Sequence, residues 1–238
     1  MTNNWLALIF LLGVTYGNAY ADEASVKKIF LSKFPGANVQ SVSKAPMKGM
    51  YEIYAEGQLL YTNESVSHLL IGNLIDVANK QNLTDLRMQK LMAVPFHTLP
   101  LNSAITSVKG NGKRKLAVFS DPDCPYCKKL EEELRGISNV TIYTFLYPVE
   151  GLHAGSTDKA KAIWCAPDRL KAWEDWMLLG SLPKTSGSCE TPIPSIVSLG
   201  QKLGITGTPT LIFADGRRVP GAIPPAQIEK ILDATQSK

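Results

Sequence analysis

"LAVFSDPDCPYCKKLEEEL", residues 116–134, runs from an apolar stretch (Leu116 to Phe119) through two acids and a Cys-Pro-Tyr-Cys tetrad into a segment with helical spacing. Strand, turn and helix in that order, with two cysteines at the joint, is the pattern that decides the fold. If the helix begins near Cys124, that sulfur sits beside unpaired backbone N–H groups and the positive end of the helix dipole. Such a setting favours thiolate over thiol: an ordinary cysteine titrates near about 8.5, and one in this position of a Cys-X-X-Cys motif at about 3.5 to 7.5. Cys124 is therefore the candidate nucleophile. Cys127, one turn further on, shares an inward stripe with Leu130 and Leu134 and should be the less exposed sulfur, placed to attack a mixed disulfide formed at Cys124.

The neighbours of the pair have simpler readings. Pro125 suits the first turn of a helix, where its missing N–H would have had no partner. Asp121 and Asp123 are candidate caps, yet a carboxylate near Cys124 opposes thiolate formation. The expectation is that the dipole and the backbone donors outweigh these acids, which point to water and are screened. Lys128 and Lys129, four residues before Glu132 and Glu133, read as a solvated helix face.

Outward from this centre, Thr141 to Tyr147 reads as a second strand, about Thr157 to Leu179 as a long helical region, and Thr210 to Phe213 as a third strand. Asp215-Gly216 turns the chain toward Arg218-Val219, and Pro225 to Ala234 reads as a last helix. That order is the order of a thioredoxin-like α/β fold. Upstream, Phe96 to Gly112 is irregular, and Gly110-Asn111-Gly112 precedes a strand and so reads as a turn, not a phosphate cradle. "NLTDLRMQKLMAV", residues 82–94, carries Leu83, Leu86, Lys90 and Leu91 at helical spacing, with Asn82 as candidate N-cap and Pro95 as stop. Before it, an amphipathic start (Val26, Ile29, Phe30) leads to strand-like runs at Met50 to Tyr54, Gln58 to Tyr61 and His68 to Leu74. Gly57 and Asn63-Glu64 separate them, as expected of an antiparallel meander behind one helix. The chain thus divides into residues 1–21, a small N-terminal unit at 22–81, a connecting helix at 82–96 and a catalytic unit at 97–238.

The first 21 residues have no charged side chain, hold a ten-residue apolar run from Trp5 to Val14, and end in Ala19-Tyr20-Ala21. This reads as a cleaved secretory signal, since the run is half the length of about 20 residues needed to span a bilayer. All four cysteines follow it, and an even count in an exported chain suits an oxidising compartment. The net charge of +4 is spread along the chain. Its densest basic run, Lys113-Arg114-Lys115, reads as a solvated loop and not as a nucleic-acid surface.

Metal binding is the rival chemistry for the tetrad. Zinc sites use a second close cysteine pair or a nearby histidine pair, whereas Cys165 and Cys189 are 24 apart and His68, His97 and His153 are scattered. Redox exchange without metal or cofactor is the reading kept. If Cys124 and Cys127 are redox-active, Cys165 and Cys189 are left to each other, although four cysteines formally allow three connectivities. A bridge of that span contributes roughly 3 to 3.5 kcal/mol in the chain-entropy view. Thr208-Pro209, before the strand in "GITGTPTLIF", reads by itself as an ordinary loop proline.

Taken together, "FSDPDCPYC" (119–127), "KAIWCA" (161–166), "LGITGTPTLIF" (203–213) and "VPGAIPP" (219–225), after "LLYTNESVSHLLIGNLIDV" (59–77), resemble the periplasmic DsbC/DsbG family of thiol:disulfide interchange proteins. The resemblance covers nearly the whole chain after the signal. It implies a thioredoxin-like catalytic domain with a helical insertion, preceded by a small cystatin-like α+β dimerisation domain and a linker helix. It further implies a V-shaped homodimer whose cleft holds misfolded exported proteins, and a DsbD-type membrane reductase as electron donor. Cys124 and Cys127 would be catalytic, Pro125, Tyr126, Thr208 and Pro209 would meet substrate, with Thr208-Pro209 as a cis-proline loop, and Cys165 with Cys189 would form a structural bridge. Enteric DsbC has Gly-Tyr between the active cysteines, whereas Pro125-Tyr126 is the DsbG pair. A DsbG-like reductase of oxidised cysteines, a monomeric dithiol oxidase and a non-enzymatic holdase chaperone are therefore the alternatives to a disulfide isomerase.

Overall fold

The computed structural model describes residues 22–236, so the expected signal segment lies outside the described residues. The chain falls into two compact units that meet between Ile75 and Asp76.

The first unit opens with helix α1 (Glu23–Lys33), capped by Asp22, whose carboxylate accepts from Ser25 N at 2.7 Å. Four antiparallel strands follow in spatial order: β1 (Val39–Lys44), β2 (Met50–Ala55), β3 (Gln58–Asn63) and β4 (Leu69–Ile71). Glu56 and Gly57 both take left-handed backbone angles, which fits the two-residue turn of a tight hairpin. Val26 and Phe30 of α1 pack on Tyr51, Ile53 and Ala55 to form the core. The strand β1 has no counterpart in the sequence reading, because "VQSVSK" is mostly polar and only Val39 is buried. The last strand is shorter than expected, ending at Ile71 before Gly72.

A two-residue ribbon of β5 (Ile75–Asp76) with β6 (Gln81–Asn82) leads into α2 (Leu83–Leu91), where Asn82 caps by accepting from Asp85 N at 3.1 Å. The helix stops before Pro95, and Val94 and Phe96 are buried against Phe119 and Phe145 of the second unit's core.

The second unit is built on a five-stranded sheet in the order β11-β10-β8-β9-β7. Its strands are β7 (Ile105–Lys109), β8 (Arg114–Ser120), β9 (Val140–Leu146), β10 (Thr210–Phe213) and β11 (Arg218–Pro220). The central strand β8 pairs parallel with β9 and antiparallel with β10. Its side chains alternate between faces. Leu116 and Val118 pack with Leu130 and Leu134 of α3 (Pro125–Leu134) and with Ile228 and Leu232 of α7 (Pro225–Gln236). Ala117 and Phe119 pack on the opposite side with Phe145, Tyr147 and Ile196.

Between β9 and β10 lies an insertion of α4 (Ser156–Trp164), α5 (Arg169–Leu179) and α6 (Ile193–Lys202). The long helical region expected from about Thr157 to Leu179 consists of two helices, α4 and α5. Pro167 interrupts the ladder, and Asp168 recaps the chain by accepting from Lys171 N at 2.9 Å. Strand β7, read as irregular chain, is an edge strand paired among the described residues with β9 alone; only Ile105 of its five residues is buried, which leaves no alternating apolar pattern to mark it. The basic run at 113–115 also departs from the solvated-loop reading. Arg114 opens β8 in a buried position and donates to the carboxylates of Glu229 and Asp233 and to the Ser138 carbonyl. Buried guanidinium is tolerable because its donors are met.

Candidate active site

Strand β8 ends at Ser120 and α3 begins at Pro125, so the loop 121–124 delivers both cysteines to one end of the sheet. Cys124 is the N-cap of α3, and its carbonyl accepts from the N–H groups of Cys127 and Lys128 at 3.0 and 3.1 Å. Both sulfurs are free, with Cys124 at 4 % exposure and Cys127 at 0 %. Cys127 lies on the inward stripe with Leu130 and Leu134, and its Sγ takes the N–H of Asp121 at 3.4 Å. Around the pair, Pro125 is exposed and Tyr126 is 65 % exposed, so an aromatic side chain next to Cys127 is open to solvent.

The Thr208-Pro209 peptide is cis and leads straight into β10. Thr208 contributes its carbonyl oxygen, 3.3 Å from Cys124 Sγ, which accepts from the thiol form. Residues 84 apart in sequence thus meet at this sulfur. Cys165, at the C-cap of α4, is bonded to Cys189, with the Cα atoms 5.7 Å apart.

The electrostatics separate the two free sulfurs. The thiol of Cys127 hydrogen-bonds the Cys124 sulfur and, against the cost of burial, draws it down to about 5, helped by the backbone N–H groups of Cys127 and Tyr126. Burial pushes the Cys127 thiol up, and the neighbouring Cys124 adds to the rise. One proton is therefore held between two sulfurs, on Cys127, leaving Cys124 as the thiolate.

The two acids before Cys124 do not point to water, contrary to the sequence expectation, and neither caps α3. Asp121 is fully buried, and its carboxylate accepts from Asp123 N at 2.8 Å, Val149 N at 2.6 Å and His153 Nδ1 at 3.0 Å. The hydrogen bond to Asp121 raises the His153 pKa. Asp123 is paired instead with Lys159 of α4, whose Nζ lies 2.8 Å from both carboxylate oxygens. Trp176 of α5 donates its Nε1–H to the Pro122 carbonyl at 2.7 Å, and its ring takes Lys128 Nζ at 4.9 Å and Lys159 Nζ at 5.2 Å from the centroid. Lys128 is thus engaged with an aromatic ring and is not simply part of a solvated face. Further along α3, Glu131 accepts from Trp173 Nε1 at 2.9 Å, and burial pushes its carboxyl up to about 7.

Lys159, Trp176 and Glu131 are residues of this site that the sequence reading did not name, and His153 was weighed there only as a scattered histidine in the metal reading. Their partners lie 32 to 54 residues away, and no local pattern marks them. Among the described residues no cluster of histidine, cysteine and acidic side chains is arranged to hold a metal ion.

Comparison with known proteins adds two family matches. Residues 101–236 match the thioredoxin-like domain, and residues 17–85 match the disulfide bond isomerase protein N-terminal domain. A protein of Bordetella pertussis named "Probable thiol:disulfide interchange protein DsbC" is 43% identical over 208 residues, covering 87% of this chain and 73% of that one. The Escherichia coli K12 thiol:disulfide interchange protein DsbC is 30% identical over 233 residues, 96% of this chain and 95% of that one. Among solved structures, a disulfide interchange protein from Neisseria gonorrhoeae is 48% identical with a TM-score of 0.56, over 58% of this chain and 99% of that one.

Proposed function

Because this chain belongs to the DsbC-type thiol:disulfide interchange proteins, we propose that it acts in the periplasm as a disulfide isomerase and reductase of exported proteins, with Cys124 as nucleophile and Cys127 as resolver. The observation that carries the reading is the unequal pair itself: two unbonded sulfurs at a strand-to-helix joint, one drawn down to about 5 and the other pushed up. Such a pair rests as one thiolate and one thiol at neutral pH, which is the form able to open a substrate disulfide.

The Cys124 thiolate attacks one sulfur of a wrong disulfide. A bond forms between Cys124 Sγ and that sulfur, the substrate S–S bond breaks, and the second substrate sulfur leaves with the electron pair as thiolate. When another substrate thiolate attacks the mixed disulfide on the substrate side, Cys124 returns as thiolate and no net electrons are transferred. When that step stalls, Cys127 gives up its proton and attacks Cys124 Sγ. The substrate then leaves reduced by two electrons, and Cys124 is bonded to Cys127. Restoring the thiolate requires an external dithiol reductant, supplied by a DsbD-type membrane protein. Pro125, Tyr126, Thr208 and Pro209 border the sulfurs and form the surface against which a substrate chain lies.

Residues 22–81 serve pairing of two copies, and residues 82–96 connect the pairing unit to the catalytic unit. A small α+β unit with four short strands has a thin core by itself, which favours a partner. Sedimentation of the mature chain at micromolar concentration should give a dimer; a monomer would remove the case for isomerase architecture and favour a dithiol oxidase. The activity itself is tested by refolding a scrambled multi-disulfide protein in a glutathione buffer. Wild type should accelerate native pairing, and Cys124→Ser should lose about a thousandfold or more of that acceleration, as removal of a nucleophile does. Equal yields from the two would overturn the assignment, and suppression of aggregation that survives loss of both Cys124 and Cys127 would mark a holdase.

A further inference from the structure

The loop that carries Cys124 places two carboxylates within three residues of a sulfur that must be anionic. Two like charges near one another each disfavour ionisation of the other, so uncompensated acids here would raise the Cys124 pKa. Asp121 has its compensation from two backbone N–H groups and His153. Asp123 is the residue immediately before the nucleophile, and its carboxylate makes contact at 2.8 Å through both oxygens with Lys159 Nζ. The pair is sheltered: Asp123 is 16 % exposed and Lys159 32 %. Trp176 confines it, holding the Pro122 carbonyl at 2.7 Å while its ring lies beneath Lys159 Nζ.

We infer that Lys159 is a positioning residue for the nucleophile, acting through Asp123: it neutralises the carboxylate beside Cys124 and fixes the loop so that the thiolate is stable at neutral pH. This rests on Cys124 being the attacking sulfur, as proposed above. The charged and titratable groups around the pair are Asp121 and His153 from the loops on either side, Lys128 and Cys127 from α3, and Cys124 itself. None of these forms an ion pair with Asp123, whose partner among the described residues is Lys159. The consequence reaches the redox balance. A thiolate stabilised in the reduced protein, and absent from the disulfide form, makes the pair more oxidising, so loss of Lys159 should make the Cys124–Cys127 disulfide harder to reduce.

The test is ultraviolet titration of the Cys124 thiolate in the reduced mature chain, with the oxidised chain as baseline and no substrate present. Lys159→Met should move the midpoint up by about one pH unit, a tenfold weaker acid, within the range of an opposite charge lost nearby. It should also shift the equilibrium with glutathione toward the protein disulfide by up to about the same tenfold factor. Lys159→Arg should stay near wild type, and the double variant Asp123→Asn with Lys159→Met should recover at least half the shift. An unchanged midpoint in Lys159→Met overturns the inference, as does a double variant as shifted as the single one, which would mean that Lys159 acts on the sulfur without Asp123. Because the midpoint is read without substrate, this result stands apart from the refolding assay, which alone decides whether the protein is an isomerase.

Discussion

The molecule holds two cysteine pairs whose states are the reverse of what exposure alone would suggest. Cys124 and Cys127 are buried and free, whereas Cys165 is partly exposed, Cys189 is exposed, and the two are bonded. Burial protects a sulfur from solvent but does not decide its chemistry; the groups around it do. At the buried pair, a helix N-terminus, a neighbouring thiol and backbone donors favour one anionic sulfur, and that anion stabilises the reduced form. At the exposed pair, the bridge ties the C-terminal end of α4 to the loop before α6, across a connection of 24 residues that contains α5. The same helix α4 that ends at Cys165 carries Lys159, whose Nζ contacts Asp123 beside the free pair.

The sharpest way to break this contrast is alkylation of the reduced protein with iodoacetamide across pH. Cys124, with its pKa near about 5, should keep at least half its plateau rate at pH 5.5. An ordinary thiol titrating near about 8.5 falls to roughly a thousandth of its plateau there. Cys127, pushed up by burial, should remain unlabelled by mass spectrometry throughout. The sign follows from linkage: a depressed thiol stabilises the reduced fold fully above the ordinary thiol range, and that contribution is lost as pH falls through about 5. A rate midpoint above pH 8 would erase the distinction between the pairs.

A smaller but decisive effect concerns the other pair. Replacing both Cys165 and Cys189 with alanine should lower unfolding stability by about 3 kcal/mol, somewhat more than a hundredfold in the folding equilibrium, as judged by urea denaturation. The alkylation midpoint of Cys124 should stay where it is, provided α4 remains docked below the transition. A shifted midpoint in the folded double variant would show that the bridge also holds Lys159 in place, joining the two pairs into one functional unit.

Much of this was legible from residues 116–134, because the features involved are local. An apolar run, a proline at the first helical position and leucines at helical spacing fix strand, turn and helix without help from the rest of the chain. The elements that escaped notice are those whose identity depends on a neighbour. Strand β1 is mostly polar and exists through its pairing with β2, and β7 through its pairing with β9. Helix α6, with Ile193, Ile196 and Gly200 buried and prolines at 192 and 194, had no counterpart in the sequence reading.

The sequence by itself determined the chemistry available: two cysteines one helical turn apart, behind a strand, with the first at the helix end that favours an anion. It could say nothing of what surrounds that anion. The Asp121 and Asp123 carboxylates were read as solvent-facing because acids next to a reactive sulfur are least costly in water. Only the tertiary structure brought His153 from the loop before α4, and Lys159 and Trp176 from the insertion, onto that loop, where a buried and a sheltered carboxylate are both met by partners. Charge compensation of this kind depends on distance in space, and helix packing sets that distance for residues that sequence separation leaves unrelated.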